Sequence, residues 1–431
     1  MLSTIKHSDE AIDLENRYGA HNYHPLPVVL KEGKGVDVWD IEGRHYYDFL
    51  SAYSAVNQGH CHPEIVNALT EQATKLTLTS RAFYNDQLGR MERYLCETFH
   101  YDKVLPMNTG AEAVETALKI ARRWGYQVKG IPTDHAQIVV CDQNFHGRTT
   151  TIISFSSDKT AKTGFGPYTS GFITIPYNDP SALKDVLEQY PNIAAFLVEP
   201  IQGEAGVMVP DSDYLTSVAA LCKAHNVLLI ADEVQTGIAR TGRLLASCGS
   251  CNCPDKHCSG IPEVKPDILI LGKAISGGVY PVSAVLANDQ IMQVITPGSH
   301  GSTFGGNPMA AAVSIAALEV IKNEALAENA DQLGAYFRAE LKNQLSGSAL
   351  VSIIRGKGLL NAIVVNDTEE SETAWNLCLL LKENGLLAKP THGNIIRFAP
   401  PLVITKEQLD ACIEIIVTSV GSFEQTWKKI H

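Results

Sequence analysis

The sequence predicts an α/β protein. A large domain would carry a mostly parallel, mixed sheet between helices, and a smaller α+β domain would follow it. Three observations carry this. Compact apolar runs recur at Ile138-Val139-Val140, 194–198, 227–231 and 268–271. Helical-looking stretches separate several of them, and short buried runs alternating with helices imply βα units. The 431 residues leave room for two or three domains, and hence a large core without staples.

The elements follow in order. Residues 36–50 place aromatic and β-branched residues on either side of Glu42-Gly43, which predicts a hairpin. Apolar residues then recur at helical spacing through 63–79 and 86–100, and a long helix is predicted from Ala111 to Trp124. An Ala-rich helix is predicted from Pro308 to Lys322. Residues 325–431 mix helices with short strands such as Asn361–Val365 and Ile395–Phe398, the texture of a smaller domain.

Composition is that of an ordinary globular chain, 45% hydrophobic and 19% charged. A formal net charge of −12 excludes a chain-wide basic surface for nucleic acid, though not a local basic pocket for a small anion. No apolar run is long enough to span a membrane. The first 19 residues contain Asp9, Glu10, Asp13 and Glu15 and no apolar run, which fits neither a secretory nor a mitochondrial leader. The expectation is a cytoplasmic protein in reducing surroundings, or one from which a mitochondrial presequence has been removed.

Reactive residues cluster where predicted strands end. Val227–Ala231 runs into Asp232-Glu233-Val234-Gln235, Ile268–Leu271 into Gly272-Lys273, and Ala195–Val198 into Glu199. Ligands of open α/β sheets sit outside the carboxyl ends of strands. A partly buried lysine there has a lowered pKa and attacks carbonyls. An acid can hold a pyridine nitrogen protonated, so Lys273 and Asp232 together suggest pyridoxal phosphate. On spacing alone Lys273 is better read as a solvated loop lysine, and Asp232 can be read as a loop carboxylate or helix cap. Asn108-Thr109-Gly110-Ala111 precedes the predicted helix and offers backbone N–H groups to a phosphate, or an ordinary N-cap. Neither a Walker A sequence nor a strand–Gly-x-Gly-x-x-Gly–helix unit is present.

Seven stretches, taken in order, resemble one family: His21–Pro27, Tyr53–His60, Asn144-Phe145-His146-Gly147-Arg148, Glu199–Glu204, Ala231–Gly237, Gly272-Lys273-Ala274 and Gly301–Pro308. Over about residues 20–420 the chain resembles the ornithine aminotransferases, in the pyridoxal-phosphate-dependent class III group that also holds acetylornithine and 4-aminobutyrate transaminases. The resemblance implies a fold-type-I enzyme, with residues 1–52 joining the small domain, 53–312 forming the cofactor domain and 313–431 completing the small domain. It implies ping-pong transfer of the δ-amino group of L-ornithine to 2-oxoglutarate, giving glutamate 5-semialdehyde, which cyclises, and glutamate. Such a reaction belongs to arginine metabolism and proline biosynthesis.

By matching positions, Lys273 would bond the cofactor and shuttle the proton, and Asp232 would pair with its ring nitrogen. Gln235 would bond its phenolic oxygen, Phe145 and Val234 would cover its faces, and Gly110 and Ala111 would hold its phosphate. Ser302 and Thr303 would reach the neighbouring subunit's phosphate, so a homodimer is implied. Tyr23, Tyr53 and Arg148 would bind the α end of ornithine. Arg397 would take the α-carboxylate of glutamate, and Glu204 would mask Arg397 while ornithine reacts. Other expectations remain open beside this one: a different ω-aminotransferase acting on N-acetylornithine or 4-aminobutyrate, or a non-catalytic redox or metal-binding scaffold.

Two places depart from the family pattern. His146 stands where some members carry Trp, and no catalytic role is assigned to it. Cys248, Cys251, Cys253 and Cys258, with His257, lie in a segment longer than the family's usual connection. Their spacing, C-x2-C-x-C-x4-C, leaves three readings: exposed free thiols, which the unusual spacing favours, a structural zinc site, or a regulatory disulfide serviced by a thioredoxin-like partner. No other metal site is expected.

Overall fold

The computed structural model describes residues 5–248 and 264–428. Its centre is a seven-stranded sheet in the spatial order Lys103–Met107, Ser283–Ala287, Ile268–Leu271, Leu228–Asp232, Ile193–Val198, Gln137–Cys141, Phe172–Ile175. The run from Ile268–Leu271 to Phe172–Ile175 is parallel. Ser283–Ala287 lies antiparallel to both of its neighbours, which makes the sheet mixed.

The predicted runs are strands because both faces of the sheet are covered. Ile138, Val140, Ala195, Leu197, Leu228, Ile230, Ile268 and Ile270 pack on one side with the helix Gly110–Trp124. Val139, Phe196, Val198 and Leu229 face the helix Tyr214–Ala224 on the other. Alternate residues must therefore all be apolar, and the period-2 signal disappears. Three strands of this sheet fall outside the predicted set: Lys103–Met107, Phe172–Ile175 and Ser283–Ala287. Lys103–Met107 contains Pro106, which cannot donate to a ladder, and it occupies an edge of the sheet.

The predicted hairpin forms as Asp37–Asp40 against His45–Asp48. With Leu30–Lys34 it makes a four-stranded sheet whose last strand is Leu386–Leu387, from the other end of the chain. A third sheet orders Val351–Lys357, Leu360–Val365, Ile395–Phe398 and Lys389–His392. The Ala-rich helix spans Pro308–Asn323, with the Asn307 side chain capping its first turn.

Arg240 ties these parts together. Its side chain is fully buried. Nε and Nη2 donate to Asn57 Oδ1 at 3.1 and 2.6 Å, and Nη1 donates to the carbonyls of Leu359 and Pro400 at 2.9 and 2.6 Å. A buried guanidinium is tolerated only when its donors are met. Asn57→Ala removes the acceptor that takes two of these bonds. It should cost about 3 kcal/mol, at the scale of hydrogen bonds to a buried charge. A lowered midpoint in thermal unfolding checks this, and an unchanged midpoint contradicts it.

Candidate active site

The carboxyl ends of five strands open onto one crevice. Leu228–Asp232 ends in Asp232, Ile268–Leu271 leads to Lys273, and Ile193–Val198 leads to Glu199. Gln137–Cys141 leads to Phe145 and His146, and Lys103–Met107 leads to the helix that starts at Gly110. Chain segments far apart in sequence thus meet where an open sheet binds its ligand.

Lys273 sits at the head of a short 3-10 turn with φ of 47°, in the left-handed region. Burial lowers its amine to about 8, with Glu204 opposing the shift and Arg397 adding to it. A neutral amine is the nucleophilic form. Asp232 is 5% exposed. Its Oδ1 accepts from the Val234 backbone N–H at 3.0 Å, and its Oδ2 lies 2.7 Å from His146 Nδ1.

The helix Gly110–Trp124 opens with a full capping box. Glu112 N–H donates to Thr109 Oγ1 at 3.2 Å, while the Glu112 carboxylate accepts the Thr109 N–H at 3.0 Å. The first-turn N–H groups at Gly110 and Ala111 remain for an anion, where the helix dipole favours one. A Cβ at Gly110 would stand 2.9 Å from Val234 Cγ1. Only glycine lets the helix start come this close to the wall that Val234 forms. Phe145 keeps 37% of its surface open, with the Arg148 guanidinium 5.9 Å from its ring centroid.

Arg397 is 1% exposed, and its Nη1 donates to Glu204 Oε1 at 2.7 Å and to Gln235 Oε1 at 3.1 Å. Gln235 Nε2 donates to the same Glu204 oxygen at 3.0 Å, closing a three-member network. Arg397 Nε is buried without a partner, so the guanidinium keeps a donor in reserve. Burial opposes ionisation of Glu204, but Arg397, Lys273 and the two hydrogen bonds outweigh it and hold the carboxyl down at about 2. A Cβ at Gly203 would fall 1.8 Å from Gln235 Oε1, so the residue before Glu204 is glycine for space.

Tyr53 hangs from an unusual support. Ser51, Ala52, Tyr53 and Ser54 have φ values of 49, 46, 59 and 70°. Four successive side-chain-bearing residues in the left-handed region cost about 1–2 kcal/mol each. Asp48 Oδ1, accepting from the N–H groups of Leu50 and Ser51 at 2.8 and 2.9 Å, helps to hold the run. The result places the Tyr53 ring 5.1 Å from the Arg397 guanidinium. Burial first, then Glu204 and Tyr23, raise the Tyr53 phenol, with Arg397 and Arg148 opposing, so all five predicted substrate residues share one electrostatic environment. Phe145, Arg148, Glu204 and Thr391 line a cavity of about 410 Å³. Tyr23 is 69% exposed.

Ser302 lies against its own chain. Its hydroxyl accepts from Asn108 Nδ2 at 2.9 Å, beside the start of the helix Gly110–Trp124, while Thr303 is exposed. Cys248 is buried, and Cys251, Cys253, Cys258 and His257 lie outside the described residues, as does the zinc or disulfide reading that rests on them. Among the described residues no group of three or more His, Cys, Asp or Glu could hold a metal, and no helix is long and apolar enough to cross a membrane.

Sequence reasoning missed Thr391 and the His146 contact, and it placed Glu199 at a strand end without giving it a partner. Thr391 Oγ1 donates to the Glu204 carbonyl at 2.8 Å. Glu199 accepts from the N–H groups of Phe145 and Gly203 at 2.9 and 3.3 Å, bridging those two segments. His146 contacts Asp232. Its neighbours in sequence, Phe145 and Arg148, were the available signal, but its partner is 86 residues away.

The chemistry of this donor set fits pyridoxal phosphate: a depressed lysine, a buried acid, a partly open aromatic ring, and a helix start that only glycine can bring near Val234. The chain belongs to the class-III aminotransferases, whose family model matches residues 18–420 and whose members use this cofactor. It is 58% identical to the mitochondrial ornithine aminotransferase of Rattus norvegicus over 416 residues, 96% of this chain and 91% of the rat protein. The ornithine aminotransferase structure from Toxoplasma gondii, with PLP partly occupying its active site, superposes with a TM-score of 0.93 at 49% identity, covering 99% of this chain and 96% of that one. An acetylornithine aminotransferase structure from Elizabethkingia anophelis is 59% identical with a TM-score of 0.86, covering 97% of this chain and all of that one.

The lowered Lys273 amine has a measurable consequence. Its neutral, reactive fraction grows as pH rises through about 8 rather than near the ordinary lysine value. Capture of pyridoxal phosphate by the apoenzyme should accelerate through that pH and then level off. Stopped-flow absorbance reads the rate, and a rise that continues to pH 10 would contradict the assignment.

Proposed function

We propose that the chain transfers the δ-amino group of L-ornithine to 2-oxoglutarate, releasing glutamate 5-semialdehyde and glutamate. The observation that carries this is the Glu204–Arg397 pair at 2.7 Å inside the same crevice as Lys273. The 58% identity to the rat enzyme along nearly the whole chain supports it.

Pyridoxal phosphate supplies the carbonyl that takes the amino group and a ring that delocalises the electrons left when a C–H bond loses its proton. The protein does the rest. Lys273 would hold the cofactor and afterwards, as a free amine, would take and return the substrate proton. Asp232 would pair with its ring nitrogen. Gln235 would bond its phenolic oxygen, Phe145 and Val234 would pack against its ring, and the N–H groups of Gly110 and Ala111 would hold its phosphate.

Selectivity comes from which cation is available. Ornithine carries its carboxylate at the far end from the δ-amine, so Tyr23, Tyr53 and Arg148 hold that end away from Lys273. Arg397 would draw the α-carboxylate inward and present the wrong amine. Glu204 prevents this by occupying it. In the second half-reaction 2-oxoglutarate must present its α-carbon. Glu204 then swings aside, Arg397 binds the α-carboxylate, and Arg148 binds the distal one. An arginine fork suits each carboxylate. Ornithine leaves as the semialdehyde before 2-oxoglutarate enters, which makes the order ping-pong.

The division into residues 53–312 and a small domain from 1–52 and 313–431 belongs to the same reading, and pairing of Leu386–Leu387 with His45–Asp48 supports it. So does a cytoplasmic homodimer in which Ser302 and Thr303 serve the neighbouring subunit. The exposed Phe304, at 50%, beside them supports the dimer.

Two outcomes test the assignment. Lys273→Ala should lower kcat by about 10²–10⁴-fold or more. Glu204→Ala should leave cofactor binding in place but lower the preference for the δ- over the α-amine by about tenfold or more. Product analysis after a single turnover reads the ratio. An unchanged ratio removes the masking role, and a wild-type preference for N-acetylornithine or 4-aminobutyrate over ornithine overturns the substrate.

A further inference from the structure

We infer that His146 is a positioning residue for this reaction, orienting the Asp232 carboxylate toward the cofactor's ring nitrogen. The inference rests on Asp232 having the role just proposed for it.

The geometry is closed on every side. The His146 side chain has no exposed surface, and its Nδ1 lies 2.7 Å from Asp232 Oδ2. An ionised carboxylate only accepts, so Nδ1 carries the proton and donates. The other carboxylate oxygen, Oδ1, accepts from the Val234 N–H at 3.0 Å. Two donors on two oxygens fix the plane of the carboxyl group. Each oxygen keeps lone-pair capacity for a third donor.

Two acidic groups face the imidazole. Asp232 comes from the strand Leu228–Asp232 and Glu199 from the end of Ile193–Val198; the Phe155 ring, 6.1 Å away, covers another side. Burial pushes the imidazole toward neutrality, but the bond and charge of Asp232, with Glu199 adding, outweigh it and raise its pKa. Burial pushes Glu199 itself up to about 7, with His146 opposing and Asp232 adding. Nε2 of His146 is buried without a partner, so the ring is held through Nδ1 alone among the described contacts. The His146 N–H, with the Val234 N–H on the other oxygen, holds the carboxylate in one orientation, as an outer partner fixes an inner ligand in metal sites.

The variants to compare are His146→Phe, which keeps a ring without a donor, and His146→Asn, whose amide N–H falls near the place of Nδ1. Fluorescence titration of each apoenzyme gives its affinity for pyridoxal phosphate, and absorbance titration of each holoenzyme gives the pH midpoint of the cofactor band. His146→Phe should bind the cofactor about tenfold or more weakly, the scale of one charge-assisted hydrogen bond, with a displaced midpoint. His146→Asn should recover most of both. Wild-type affinity and midpoint in His146→Phe overturn the inference, as does a His146→Asn variant no better than His146→Phe. If His146→Phe does not fold, nitrogen-15 NMR of histidine-labelled wild-type apoenzyme decides: a protonated Nδ1 at neutral pH supports the inference and a bare Nδ1 overturns it. Asp232→Asn separates the two claims. Wild-type cofactor affinity in that variant sinks the role of Asp232 itself, whereas a defect there beside an unaffected His146→Phe sinks only the role of His146.

Discussion

The substrate half of the crevice depends on Arg397, a guanidinium that cannot be left alone. A buried cation without a partner costs several kcal/mol. Glu204 and Gln235 meet that need in the absence of a dicarboxylate. In the proposed mechanism the same need makes the pair exchangeable, because an incoming α-carboxylate would offer Arg397 an equivalent partner. One electrostatic constraint would then both stabilise the free site and decide which amine reacts. Gly203, with no room for a Cβ against Gln235, and Thr391, bonded to the Glu204 carbonyl, are fitted around it.

The cofactor half depends on a different constraint, the direction of the sheet. Parallel strands deliver their carboxyl ends to one edge, so Asp232, Lys273, Glu199 and the Phe145-His146 segment arrive together although 127 residues separate Lys273 from His146 in a chain of 431. Strain is accepted where placement requires it. Lys273 itself and the run Ser51–Ser54 lie in the left-handed region, and both present side chains to the crevice. The buried Arg240 clamp holds the carbonyls of Leu359 and Pro400 against Asn57, so the walls of the crevice share one framework.

Much of this was legible in the amino acids. The strands at Ile193–Val198, Leu228–Asp232 and Ile268–Leu271 read as such because continuous apolar runs survive only between two covered faces. The reactive residues that follow them marked the edge that binds. Lys103–Met107 escaped because Pro106 disguises an edge strand. The left-handed run at Ser51-Ala52-Tyr53-Ser54 escaped because it contains no glycine, and tertiary contacts such as Ser51 Oγ to the Ala399 carbonyl at 2.7 Å impose it. His146 escaped because its meaning lies in Asp232, which only the fold brings to 2.7 Å. The roles of Glu204 and Arg397 came from resemblance to a family rather than from spacing, since nothing local ties residues 193 apart.

The central claim is that Glu204 occupies Arg397 for one substrate and vacates it for the other. The most direct measurement is a pair of crystal structures of the holoenzyme, one with glutarate, an unreactive dicarboxylate, and one with an unreactive ornithine analogue. The account predicts that Glu204 remains on Arg397 with the ornithine analogue. With glutarate it should be rotated away, a ligand carboxylate taking its place on the guanidinium. Finding Glu204 on Arg397 in both structures, or displaced in both, would contradict it.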